Sequence, residues 1–202
     1  MRFFWLSLLV MFPLFGAELS SFLLGDKELI VVNEQYDLYK SKGEVAKFYK
    51  EQSNRDLKFL KSFTLQEHSG GCAAQAYEKG VYEVNGTRLY FYTQWSRSGK
   101  AYDAPIGVRI EEYQLEGEQL KRCSSLFYIE LEKRGKEAPE GMEFLFAKPK
   151  NSKEEHLLNE YIHEVEKDYN GKFLLGDEAK ALQERVDRAF KRALKQRWKA
   201  LS

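Results

Sequence analysis

The dipeptide Asn85-Gly86 lies between two runs rich in β-branched and aromatic residues, and it constrains the fold more than any other feature of this chain. Both residue types tolerate the positive φ of a type I′ turn, so this dipeptide is the strongest short-range signal for a β-hairpin. A two-residue loop at Asn85-Gly86 would pair Val84 with Thr87. The sequence therefore predicts a hairpin over residues 80–95.

Alternate positions of this hairpin separate by polarity, as expected for strands whose successive side chains point to opposite faces. One face carries Tyr82, Val84, Leu89, Phe91 and Trp95. The other carries Lys79, Glu83, Arg88, Tyr90, Tyr92 and Gln94. A pair of Glu83 opposite Arg88 is typical of a solvated sheet face. The hairpin is therefore predicted to bury the first face and expose the second.

Alternating apolar residues elsewhere predict further strands over 57–68, 106–115, 123–131 and 142–146. With the hairpin they form an antiparallel meander of about six strands. Ile106, Val108 and Ile110 alternate in one phase, and Tyr113 and Leu115 continue in the other. A β-bulge near Glu111 would keep both sets on the core side.

The ends of the chain are predicted to be helical. Residues Leu29, Val32, Tyr36 and Tyr39 keep helical spacing, so residues 18–56 are predicted as an N-terminal helical segment. At the other end, Ser152 and Glu155 form a capping box, and Asn170-Gly171 ends that helix. A second helix follows from Asp177 to about Ala200. The sequence thus predicts an α+β fold, with a β domain at 57–149 and a helical pair at 150–202 packing on the sheet.

The first seventeen residues are typical of an export signal. Arg2 precedes an uncharged apolar run, and small residues end at Ala17, where a signal peptidase would cut. The run is shorter than the roughly 20 residues that span a bilayer. We therefore expect a cleavable signal peptide at 1–17 and a periplasmic or secreted protein. Loss of Arg2 leaves 31 basic against 31 acidic residues, a balance without the positive footprint of a nucleic-acid-binding protein.

Cys72 and Cys123 are the only cysteines. In an exported chain they predict a disulfide bond, because oxidising compartments favour such pairs. An alternative is that Cys72 acts as a nucleophile with His68 as its base. The disulfide interpretation is favoured because it uses both cysteines.

Helical spacing places His156, Glu160 and His163 on one face of the first C-terminal helix, where they resemble a zinc-binding group. That face lies opposite the apolar stripe and should point to water. The metalloprotease motif would also need a second histidine at position 167, where the chain has Lys167. No metal or cofactor site is therefore predicted.

The end of the last helix is strongly basic. It carries Arg188, Lys191, Arg192, Lys195 and Lys199 with no acid between them. Such a helix can bind an anionic membrane or an acidic partner. The other interpretation is an amphipathic helix that docks on the sheet and keeps its charges in water.

An export signal, a succession of antiparallel strands and a terminal helix together resemble the calycin or lipocalin-like architecture, although the Gly-x-Trp signature of lipocalins is absent. That resemblance implies a carrier of small apolar ligands. A curved sheet packed on helices, as in cystatin-like or nuclear-transport-factor-like folds, is the structural alternative.

We therefore expect an exported, non-catalytic binding protein for a small apolar or amphipathic ligand. The predicted ligand-binding residues are Tyr82, Leu89, Phe91, Trp95, Phe127 and Ile129, all on inferred inward faces. A cell-envelope interaction protein that uses the basic helix or the Tyr-rich sheet face is the alternative. A hydrolase that uses a thiol or a metal is the least favoured class.

Overall fold

A computed structural model describes residues 18–38, 41–70, 74–99, 106–130 and 149–201. Its elements are β1 (Glu18–Leu24), β2 (Lys27–Leu38), β3 (Ser41–Glu51), β4 (Leu57–Gly70), β5 (Ala74–Asn85), β6 (Arg88–Gly99), β7 (Ile106–Glu116), β8 (Gln119–Glu130), α1 (Ser152–Tyr169), β9 (Lys172–Phe173) and α2 (Gly176–Leu201). The predicted signal peptide, Cys72 and the strand predicted at 142–146 lie outside the described residues. No helix in the described part is both long and apolar enough to cross a membrane.

The strands form one sheet in which spatial order follows sequence order from β1 to β9, and β1 and β9 are its two edges. The first eight strands pair antiparallel, and the two-residue β9 adds to β8 in parallel. The prediction of an α+β fold with sequential antiparallel strands and two C-terminal helices is confirmed, but the sheet that the structure describes is mixed and does not close into a lipocalin-like barrel. The prediction of about six strands is wrong, because the described part of the chain contains nine.

The sequence predicted a helical N-terminal segment, but this segment instead forms β1, β2 and β3. The segment Leu29 to Val32 in β2 is buried at every position. A strand covered on both faces loses the polar–apolar alternation that identifies a half-buried strand. The helical spacing of Leu29 and Val32 therefore reflects a strand segment that is buried at every position, not a helix.

The central hairpin forms one position beyond the predicted turn. Asn85 pairs with Arg88 and Val84 with Leu89, which leaves Gly86 and Thr87 as the two loop residues. Gly86 has φ 60° and Asn85 keeps a negative φ, so the left-handed residue is the glycine at the first loop position, as in a type II′ turn. Compared with the predicted pairing, each residue of the first strand pairs with a residue two positions further along the second strand. Because side chains alternate with a period of two, the same residues still share each face.

The two apolar phases of β7 point to opposite faces of the sheet, and the prediction that a bulge keeps both inward is wrong. Val108 and Ile110 pack under α2, whereas Tyr113 joins the core on the other face. A register shift does lie between Glu112 and Tyr113. Its extra residue is Cys123 on β8, and this cysteine is exposed.

The sheet folds over on itself along β4. The strands β4 and β5 pair only from 66–70 to 75–79, and the first half of β4 crosses the inner face of β6 and β7. There the rings of Phe63 and Phe91 are 4.4 Å apart. The core between the two halves contains Leu24, Leu29, Val31, Ala46, Phe48, Phe63, Leu89, Phe91 and Tyr113. At the far end, the Gly25 N–H donates to the Gly86 carbonyl at 2.9 Å.

The two C-terminal helices cover other parts of the sheet. In α1, the N-cap is Asn151 rather than Ser152, because the Asn151 side chain accepts the N–H groups of residues 153 and 154. The helix ends at Tyr169, and Asn170 caps it with a left-handed φ of 48°, so the predicted termination at Asn170-Gly171 is confirmed. In α2, the apolar stripe that contains Leu182 and Val186 packs against β6, β7 and β8.

The hairpin face that was predicted to be solvated lies beneath α2. Tyr92 is buried there, and burial together with the nearby Glu83 carboxylate raises the pKa of Tyr92 to about 12. Glu83 pairs with Arg192 of α2 and not with Arg88, and the two distances are 2.6 and 2.8 Å. Arg88 instead pairs with Glu112 of β7. The helix therefore supplies the charge partner that the sequence had assigned to the neighbouring strand.

The Glu83–Arg192 pair gives α2 a pH-dependent attachment to the sheet. The hydrogen bond from Arg192 lowers the pKa of Glu83 below its ordinary value of 4.5. The pair therefore stabilises the fold above that value, and the contribution is lost as the pH falls through the folded-state pKa. We expect Arg192→Gln to lower the free energy of unfolding by about 0.5 kcal/mol at pH 7, because the arginine is half exposed and screened.

Urea unfolding of the wild type and Arg192→Gln at pH 7 and at pH 3 measures this contribution, which should be smaller at the lower pH. Lys191→Gln is the matched control, because Lys191 is exposed on the same helix and forms no described ion pair. An equal effect of Arg192→Gln at both pH values would show that the contact is not ionic.

Candidate functional site

A cavity of about 530 Å³ lies between the first half of β4 and the inner face of β6, β7 and β8. Its aromatic lining comprises Phe63, Tyr77, Phe91, Trp95, Tyr113 and Tyr169. Its charged lining comprises Lys61, Glu67, Glu78, Arg109, Glu111 and Arg122. The cavity exists because β4 crosses the sheet rather than continuing beside β5 along its whole length.

The aromatic wall is held by contacts between strands and with α1. Phe63 meets Tyr113 edge-on at 5.2 Å, and Trp95 stacks on Tyr169 at 6.1 Å. Trp95 can lie flat across β7 because its neighbour there is Gly107, where a Cβ atom would stand 2.2 Å from the indole. A glycine at this position is therefore required by the place of the indole and not by a turn.

Arg109 is the most unusual group in the cavity. Its guanidinium lies 5.5 Å from the centre of the Trp95 ring and 5.8 Å from those of Phe127 and Tyr169. One Nη donates to the Tyr169 carbonyl at 3.2 Å. Its Nε is buried and has no acceptor among the described residues. Aromatic faces stabilise the positive charge, but this N–H remains unsatisfied.

A second charged group is already paired. Arg122 donates to Glu111 at 2.8 Å, and the Glu111 side chain is only 13% exposed. Burial, followed by the Glu111 charge, raises the pKa of the adjacent Tyr113, while Arg122 and Arg109 act in the opposite direction. Tyr113 therefore stays a neutral phenol at physiological pH. Both arginines lie close enough to influence the same hydroxyl.

Lys61 is the third cation of the cavity. Its ammonium group lies 5.1 Å from the centre of the Tyr113 ring and 5.7 Å from that of Phe63. No carboxylate of the described residues forms an ion pair with it. Two of the three cations, Lys61 and Arg109, thus face the cavity without a described acidic partner.

The six predicted ligand-binding residues are spread over four places. Phe91 and Trp95 line the cavity. Tyr82 packs against the core cluster and lines a separate groove beside β1 and α2. The others are buried away from the cavity space: Leu89 in the core between the two halves of the sheet, and Phe127 and Ile129 beneath α1.

The charged cavity residues were missed at the sequence level. Arg109 and Glu111 alternate with Val108 and Ile110, so alternation alone would assign them to the solvated face of β7. Tyr113 lies in the same phase as Arg109 and Glu111, and its burial shows that this phase also faces the protein interior. An aromatic residue in this charged phase was the sequence signal for the cavity, and no motif accompanied it.

The other candidate groups do not form a site. His156 and His163 are exposed on α1, and His156 pairs with Glu160 at 3.2 Å across the helix surface. Cys123 is exposed, and its predicted disulfide partner Cys72 lies outside the described residues, so the disulfide stays a prediction. The ring of His68 is exposed and contacts Tyr77.

Some side chains of the basic helix form ion pairs within the protein, and α2 packs on the Tyr-rich face. Arg192 pairs with Glu83, and Arg188 lies 3.5 Å from Glu184. Lys191 and Lys195 are exposed, and the side chain of Lys199 is outside the described residues. Because α2 covers Tyr92, with Tyr90 and Tyr128 against the same cluster, the Tyr-rich face is not an open surface.

The Trp95–Gly107 contact can be tested directly. We expect Gly107→Ala to displace the indole and to lower the free energy of unfolding by about 1–3 kcal/mol, as overpacking does. In a Trp95→Ala background the new methyl group has no indole to meet, so the same substitution should cost much less. A double-mutant cycle by urea unfolding measures the coupling. Equal costs in both backgrounds would show that the indole does not require the glycine.

The chain matches no protein family model, no curated protein and no solved structure. Its function is therefore inferred from the cavity itself.

Proposed function

We propose that this protein is an exported, non-catalytic binding protein that holds a small amphipathic ligand in the cavity beneath β4. The observation that carries the proposal is the combination of aromatic and charged walls around one space of about 530 Å³. Ligand pockets are typically about 300–1,000 Å³, with a mainly apolar lining and a few placed polar groups. The cavity matches that size and has both kinds of wall.

The charged wall favours an amphipathic ligand over a wholly apolar one. An apolar occupant would remove water from Arg109 and Glu111 without offering them a hydrogen bond, and that desolvation is unfavourable. The aromatic wall of Phe63, Phe91 and Trp95 provides the contact for the apolar part. The expected ligand therefore has a ring or short chain with a polar group at one end.

Binding is tested with N-phenyl-1-naphthylamine, a neutral dye that fluoresces in apolar sites. We expect saturable binding to the wild type. Ala76→Trp should weaken it at least tenfold, because Ala76 lines the cavity and the indole would occupy the space. Ser69→Phe, also in the lining, is a second blocking variant in case the first does not fold.

Ala181→Trp is the matched control, because this alanine is exposed on α2 and away from the cavity. Circular dichroism establishes that each variant is folded. Equal binding of the dye by the wild type and the folded blocking variants would contradict the proposal. So would the absence of saturable wild-type binding of both this dye and its sulfonate analogue, 1-anilinonaphthalene-8-sulfonate.

A second candidate function is attachment to the cell envelope through α2. It is favoured by Leu194, whose side chain is 57% exposed between the exposed Lys191 and Lys195. An apolar residue among lysines is the pattern of a helix that binds an anionic membrane surface. Each lysine near such a surface contributes about 1 kcal/mol.

This candidate predicts that the protein sediments with vesicles containing phosphatidylglycerol and not with pure phosphatidylcholine vesicles. Lys191→Glu with Lys195→Glu should reduce sedimentation at least tenfold. Lys153→Glu with Lys167→Glu, two exposed lysines of α1, is the control with the same charge change. Sedimentation that is absent in the wild type or unaffected by the α2 substitutions would eliminate membrane attachment through this helix.

A further inference from the structure

We infer that the ligand carries an oxyanion, such as a carboxylate, sulfonate or phosphate, which binds at Arg109 with Lys61 as a second cation. The inference rests on the proposed function and names the chemical class of the ligand. The inference follows from which charged side chains of the cavity form ion pairs, and not from the net charge of the lining. The lining contains three cations and three carboxylates, so its formal charges cancel.

The pairing within the cavity is uneven. Arg122 and Glu111 pair with each other at 2.8 Å. Glu67 accepts the Ser41 hydroxyl at 2.9 Å. Neither Arg109 nor Lys61 forms an ion pair with a carboxylate of the described residues, although each lines the cavity. An anion that enters the cavity therefore finds two cations without acidic partners.

The surroundings of Arg109 favour an oxyanion over other acceptors. Three aromatic rings enclose its guanidinium, and one carbonyl accepts from it, while its Nε–H has no acceptor. The five N–H donors of a guanidinium form a planar fork that matches two oxygens of a carboxylate or phosphate. An oxyanion at this place would accept hydrogen bonds from the guanidinium N–H groups that have no acceptor among the described residues.

The aromatic residues define the rest of the ligand. Trp95 lies beside Arg109, and Phe63 lies beneath Lys61, so each cation borders the aromatic wall. A ligand whose anionic group lies next to an aromatic ring or short alkyl chain would contact both. The cavity of about 530 Å³ lies in the size range of small-molecule pockets.

Two dyes with the same ring system separate the anionic contribution from the apolar one. They are 1-anilinonaphthalene-8-sulfonate, which carries a sulfonate, and the neutral N-phenyl-1-naphthylamine. We expect the wild type to bind the sulfonate dye at least tenfold more tightly at low salt, and the difference to shrink as salt is added. Ala76→Trp should weaken both dyes, which places both in the cavity.

Arg109→Gln should weaken the sulfonate dye about tenfold and change the affinity for the neutral dye by less than twofold. Arg109→Lys, which keeps the charge but loses the fork, should give an intermediate affinity. Lys61→Gln should cause a smaller loss of sulfonate binding than Arg109→Gln. Lys121→Gln is the control, because Lys121 is an exposed lysine of β8 outside the cavity.

The outcomes distinguish this inference from the proposed function. If neither dye binds saturably, or if Ala76→Trp binds both as the wild type does, the binding function itself fails. If the neutral dye binds in the cavity but the sulfonate dye binds no more tightly, only the oxyanion is wrong. An equal loss of both dyes in Arg109→Gln would show that the arginine supports the aromatic wall and does not recognise charge.

Discussion

The close approach of β4 to the hairpin at Gly80 is the contact on which the rest of the structure depends. A Cβ atom at Gly80 would lie 2.1 Å from the Thr64 carbonyl oxygen and 2.5 Å from the Phe91 ring. Only glycine leaves room for the two segments to meet there. This approach lets β4 leave β5 and cross the inner face of the sheet, which creates both the core cluster and the cavity beside it.

Burial on both faces follows from this crossing and from the docking of α2. The strands β6 and β7 have the β1–β4 half of the sheet against one face and α2 against the other. As a result, polar side chains on either face of these strands lie under cover instead of in water. Tyr92 is held neutral beneath α2, and Glu83 reaches Arg192 at the rim of the same interface.

Charged side chains in the cavity are unfavourable for the stability of the fold, so we expect them to serve a function. Arg109 and Glu111 occupy inner-face positions where apolar residues would complete the core, and the Arg109 Nε–H is left without an acceptor. Unsatisfied buried groups concentrate at functional sites, where local stability is sacrificed to binding. The aromatic enclosure of Arg109 keeps this cation in place before any ligand arrives, and such preorganisation favours binding.

The sequence by itself determined the local features of this protein. Turn chemistry near Gly86, the division of the hairpin faces and the end of α1 at Asn170 depend on a few neighbouring residues, and all three appear in the structure close to their predicted form. Even the displaced turn preserved the faces, because the shift moved each partner by two positions.

The tertiary structure decided what covers each face. Glu83 meets a partner 109 residues away, and Leu29 to Val32 form a strand segment that is buried at every position. Position along β7 could not show that Arg109 faces a cavity, since the crossing of β4 creates that cavity. Propensity and turn geometry act over a few residues, whereas burial depends on segments far apart in the chain.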